Sequence, residues 1–231
     1  GDERMAVAER DNALTEVDAN RTLLFLGLVT AATIMPLALL LHQIPPLMTA
    51  LHWLAPLATG CGLPALLTGL LFWRRLTDLE HSTLQTSGVG VGVLGALIMV
   101  GSVVVAWPDP ATLAPTALVT AAVMIAVAIV FGIPAAHIPA GIALSAAWLT
   151  IFYVLRGRVD WIVDDAATVR TLFLSATSGH ALVPVVAVCG VVAVVLSRIR
   201  RRDAARMYGI VAAFAMVVSL ALVVAFGFAR I

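Results

Sequence analysis

Lysine is absent, and all fourteen cations in the 231 residues are arginine. A retinal photoreceptor needs a lysine amine for its Schiff base, so that seven-helix function is excluded. Charge of either sign is scarce: 12% of residues are charged, with fourteen basic against thirteen acidic and a net charge of +1. Such a balance offers no basic surface for nucleic acid. The two cysteines, Cys61 and Cys189, both lie in apolar stretches. They build no disulfide framework and read as small hydrophobes. No phosphate loop, nucleophile elbow or metal-ligand spacing occurs along the chain.

Apolar residues are abundant, at 61% of the chain with a mean hydropathy of +1.05. That is the composition of a protein whose solvent is the bilayer. Crossing about 30 Å of hydrocarbon takes roughly 20 apolar residues of helix. Seven stretches qualify, near 21–41, 47–73, 88–107, 112–131, 135–155, 172–197 and 205–228. No charged residue sits well inside any of them, and the expected fold is an all-α polytopic transmembrane bundle of about seven spans. Residues 1–20 are polar and acid-leaning, without the basic start of a signal peptide. They read as a cytoplasmic segment, either a tail or an extension of the first span.

Arginine sets the orientation. With the N-terminus inside, the inner segments hold Arg4, Arg10, Arg21, Arg74, Arg75, Arg198, Arg200, Arg201, Arg202 and Arg206. The outer segments hold only Arg156, Arg158, Arg170 and Arg230. The positive-inside bias then places the C-terminus outside, in a membrane expected to be a bacterial inner membrane. Trp53, Trp73, Trp107 and Trp161 fall near span ends, as interfacial anchors do.

One segment recurs. HWLAPLATGCG at 52–62 returns as HALVPVVAVCG at 180–190, matching His52 with His180, Pro56 with Pro184, Cys61 with Cys189 and Gly62 with Gly190. Both copies lie in spans running from outside to inside, each closed by arginines and an aspartate. Two parallel three-helix units, about 21–107 and 135–228, joined by a linker span at 112–131, are the simplest layout. A proline inside a helix frees the carbonyl four residues earlier, here that of each histidine. Such a carbonyl needs a partner within the protein. His42, His52, Pro56, Thr177, His180 and Pro184 therefore mark a polar layer near the outer face. Three roles compete for it: histidines that bond across helices and fix packing, a cavity for a solute or ion, and a b-type haem with His52 and His180 as axial ligands. No cofactor is required by the first two.

No carboxylate or arginine lies within a span core, which argues against an ion-coupled pump. Thr30, Thr59, Thr120, Ser145, Ser175, Thr177 and Ser178 are left as polar contacts for a passenger. The outer loop at 156–170 carries Asp160, Asp164 and Asp165 among arginines, a cluster that a metal-dependent transferase could use. The simpler reading is an amphipathic segment lying on the membrane surface. In the third span Gly88, Gly92 and Ala96 form a small-residue face for tight helix contact, with a second copy or a partner helix as its expected occupant. The best-supported function is a non-enzymatic binding, sensory or scaffolding domain. A facilitator for a small neutral solute and a b-haem electron carrier are the alternatives.

Overall fold

The computed structural model describes residues 45–76, 82–161 and 166–227. The long elements are α1 (Pro45–Leu76), α2 (Ser82–Ala106), α3 (Pro110–Val130), α4 (His137–Leu155), α6 (Ala176–Arg198) and α7 (Arg202–Gly227). A 3-10 turn at Pro134–Ala136 precedes α4, and a short helix, α5 (Ala166–Phe173), precedes α6. The six long helices are each apolar and long enough to cross a membrane. The protein is an all-α membrane helix bundle, in which these six correspond to the second to seventh expected spans. The expected first span, residues 1–20 and His42 lie outside the described residues.

Local chemistry moves two boundaries. Asp109 accepts a hydrogen bond from the Thr112 amide (3.1 Å) and another from the Thr112 hydroxyl (2.8 Å), while Pro110 opens the helix. That cap starts α3 before residue 112. The expected sixth span begins at Ala176 rather than 172, because Ser175 is the N-cap of α6 and α5 is a separate helix that ends at Phe173.

The helices pair as three antiparallel hairpins, α1/α2, α3/α4 and α6/α7, with α3/α4 in the middle. α1 and α2 pack on α3, and α6 and α7 pack on α4. The span at 112–131 forms the central hairpin with α4 and is buried along Ala114, Ala117, Thr120, Ala121 and Met124. Hydrophobicity cannot drive helices together in lipid, so close contact depends on small residues and interhelical hydrogen bonds. At the α1/α2 crossing a Cβ on Gly95 would overlap the Leu66 amide and lie 2.7 Å from the Gly62 carbonyl oxygen. Gly92 meets Gly69 and Leu70 of α1, and Ala96 packs on the core around Leu66 and Met99. Gly92 and Ala96 of the third span's small-residue face are therefore taken up within the chain, and the surroundings of Gly88 lie outside the described residues.

α4 and α6 end in the same backbone motif with different residues. Beyond α4, Gly157 adopts φ +61, its amide donates to the Val154 carbonyl (2.9 Å), and the Arg158 amide donates to that of Tyr153 (3.0 Å). Beyond α6, Arg200 adopts φ +64, its amide donates to the Ser197 carbonyl (3.2 Å), and the Arg201 amide donates to that of Leu196 (3.0 Å). Glycine is the usual occupant of this left-handed position, where a side chain costs on the order of 1 kcal/mol.

Candidate functional site

The two copies of the repeated segment bury different faces. Cys61 is exposed and Cys189 buried, while Leu54 is exposed and Leu182 buried. A Cβ on Gly62 would press on Met99 and Gly95, whereas one on Gly190 would meet nothing within 4 Å. Gly60 is equally open. Pro56, Thr177, His180 and Pro184 all face outward. His180 Nδ1 donates to the Ala176 carbonyl one turn earlier (2.8 Å), so the ring is tethered to its own helix and Nε2 is the free nitrogen. His52 belongs to α1, and its side chain lies outside the described residues. α1 packs on α2 and α3, and α6 packs on α4, α5 and α7, so the histidine-bearing helices are not neighbours.

Polar bonding instead concentrates at places set by the hairpins. One joins α1, α2 and α3. The Thr59 and Ser102 hydroxyls lie 2.6 Å apart, Thr59 also reaches the Ala55 carbonyl (3.1 Å), and Ser102 reaches that of Met99 (2.6 Å). Each hydroxyl has one proton to give, so whichever donates across the pair releases its own carbonyl, while the other accepts and keeps its bond. Thr120 of α3 donates to the same Met99 carbonyl (3.3 Å), which ties a third helix to the bridge.

The second node holds α5 to α4 and α6. Tyr153, 2% exposed, donates from its hydroxyl to the Leu172 carbonyl (2.9 Å) and lies 2.6 Å from the Ser178 hydroxyl and 3.1 Å from that of Ser175. Ser178 also donates to Leu172 (2.9 Å). Trp107 meets Phe173 edge-on with ring centroids 4.5 Å apart, and Val159 and Val169 complete the cluster. Charges in this region face outward: Arg156, lying 5.0 Å over the Phe152 ring, Arg158, Asp160 and Arg170 are all exposed. Asp164 and Asp165 lie outside the described residues. Among the described residues no three metal-ligating side chains come together.

Around Pro184, α6 is tied to its neighbours by bonds that the repeat does not reveal. Trp148 of α4 donates from its indole nitrogen to the Ala181 carbonyl (2.7 Å), three residues before Pro184. Ser219 of α7 donates to the Gly179 carbonyl (2.6 Å), next to the histidine in sequence. At the other end of α4, His137 is buried with its ring 4.7 Å from that of Tyr208. Its Nδ1 is the one buried side-chain polar atom without a hydrogen-bond partner among the described residues.

No family model, curated protein or solved structure matches the chain. The fold and the bonding described above therefore carry the functional argument alone.

Trp148, Tyr153, Ser102, Ser219 and Tyr208 were not among the candidates drawn from the sequence. A signal for Trp148 and Tyr153 existed, because an aromatic with a polar tip inside a span must find a partner there. Ser102 and Ser219 carried no such mark, since a serine in a membrane helix can satisfy itself on its own preceding turn.

Proposed function

We propose that this chain is a non-catalytic membrane-embedded module, a binding, sensory or scaffolding domain that acts through its helices. The observation that carries this reading is how its hydroxyls are used. Of the groups that could line a path for a passenger, Thr59, Thr120, Ser145, Ser175 and Ser178 all bond within the bundle. Thr177 and His180 face outward rather than toward the central hairpin. A polar group already matched within the protein, on a neighbouring helix or, as for Ser145, on its own preceding turn, gains little by binding a solute, which would first have to break that bond.

The proposed orientation puts the Arg198–Arg206 segment in the cytoplasm and Trp107 and α5 at the outer face. Flux assays on proteoliposomes test the reading. Entry of glycerol, urea or water no faster than into protein-free liposomes is the expected result, and accelerated entry that Thr59→Val or Ser102→Ala alters would replace this reading with a facilitator. A reduced-minus-oxidised visible spectrum of protein from haem-replete cells separates the remaining alternative. A flat spectrum is expected, and a sharp band lost in His180→Ala would make the protein an electron carrier.

A further inference from the structure

The turn between α6 and α7 concentrates positive charge more than any other described part of the chain. Arg198, Arg200, Arg201, Arg202 and Arg206 fall within nine residues, and all five are exposed. Asp203 is the only acid among them, and it stands 4.0 Å from Arg206, at the limit of an ion pair. Among the described residues the other four have no acidic partner. At the opposite end of the bundle Arg156 and Arg158 share their loop with Asp160, and Arg170 follows in α5, so charge there is closer to balanced.

Four features of this turn point to a ligand. The apolar spans end at Arg198 and begin again at Arg202, which sets the guanidinium groups at headgroup depth. Arginine matches a phosphate with a planar fork of donors, binding two oxygens at once. Arg200 occupies the left-handed position that α4 fills with Gly157, so the chain keeps a cation where a glycine would sit with less strain. Ile199, 60% exposed in the middle of the cluster, adds an apolar contact beside the cations. A free phosphate ion has no use for it, but the glycerol backbone and first methylenes of a lipid do.

We propose that the α6–α7 turn is a binding site for the headgroup of an anionic phospholipid, gripped by Arg200, Arg201 and Arg202 with Ile199 against its acyl base. This goes beyond the module reading and holds whatever the domain's partner is. The lipid clamps the two helices of the hairpin at this exposed turn, so its binding stabilises the bundle by mass action.

The test uses the full chain in a mild non-ionic detergent, with the melting midpoint read after adding phosphatidylglycerol or phosphatidylcholine at equal mole fraction. Phosphatidylglycerol is expected to raise the midpoint by several degrees and phosphatidylcholine to leave it unchanged. Arg200→Gly separates charge from fold, because glycine suits the turn. It should melt no lower than the parent in phosphatidylcholine yet lose most of the phosphatidylglycerol shift. Arg201→Gln/Arg202→Gln should abolish the shift, and Arg156→Gln/Arg158→Gln at the other end should retain it. Equal shifts with both lipids, or a full shift in the turn variants, would overturn the proposal. So would a shift reproduced by millimolar inorganic phosphate and not increased by the lipid, which would assign the turn to a free anion.

Discussion

The indole nitrogen of Trp148 donates to the Ala181 carbonyl across 2.7 Å, joining α4 to α6 one residue beyond His180. Pro184 withholds the amide that would serve the His180 carbonyl, its ring crowds the turn that Ala181 shares, and lipid offers no donor in its place. Trp148→Phe keeps an aromatic ring, smaller than the indole, and removes the donor, and it is expected to cost about 1 kcal/mol. In a Pro184→Ala background the turn can close, so the same substitution should cost less. Melting midpoints of the two single variants and the double variant in detergent give the coupling. Strictly additive losses would show that the bond and the kink are independent.

Tyr153 carries the attachment of α5. Tyr153→Phe removes a hydroxyl that meets Leu172, Ser175 and Ser178, and leaves the ring contact with Phe173, at 5.5 Å between centroids, in place. The expected loss is about 1–3 kcal/mol, because Ser178 is left to serve the node alone. Amide exchange should rise across residues 166–175 first. Uniform exchange along all six long helices would mean that α5 does not depend on this node.

Glycines of the repeated segment should respond oppositely to the same added methyl. Gly190→Ala and Gly60→Ala meet open space and are expected to be neutral, or to gain up to about 1 kcal/mol from helix propensity. Gly62→Ala presses on Met99 and the Gly95 carbonyl, and Gly95→Ala on the Leu66 amide. Each should lose about 1–3 kcal/mol and separate α1 from α2. Folded yield on size-exclusion chromatography and thermal melting both read this, and a stable Gly95→Ala would contradict the crossing described.

His137 is a polar ring at a buried place, with Nδ1 unbonded. His137→Phe keeps the stacking on Tyr208 and removes the unsatisfied nitrogen. It is expected to be neutral or to gain about 1 kcal/mol, since leaving a buried polar group unmatched carries a penalty. His137→Ala should destabilise by about 2 kcal/mol or more through the space it opens. A marked loss in His137→Phe would show that the nitrogen holds a partner in the folded protein.

That Pro56 and Pro184 withhold a bond from their own helices followed from the sequence, but the cross-helix bond beside Pro184 did not. Nothing local to residues 180–190 indicates that Trp148, more than thirty residues earlier, supplies the donor. The caps behaved differently: Asp109 and Ser175 act on residues three positions away, so the chemistry that starts α3 and α6 is written beside them. The small-residue face of the third span was legible as a contact surface, yet whether α1 or another chain covers it depends on how the hairpins stack.

Composition and the lengths of apolar runs alone determined that this chain lives in a bilayer, where its helices cross, and where its arginines concentrate. Those are properties of segments, set by the transfer of about twenty residues at a time into hydrocarbon. The tertiary structure decided which side of each helix is inside. Helices that are apolar all round, as these are, carry no amphipathic stripe to orient them. Matched positions can then end in opposite environments, as with Cys61 facing out and Cys189 facing in. Small-residue contacts such as Gly62 with Gly95, and hydroxyl bonds such as Thr59 with Ser102, fix the rotation of each helix, and both exist only once two helices meet.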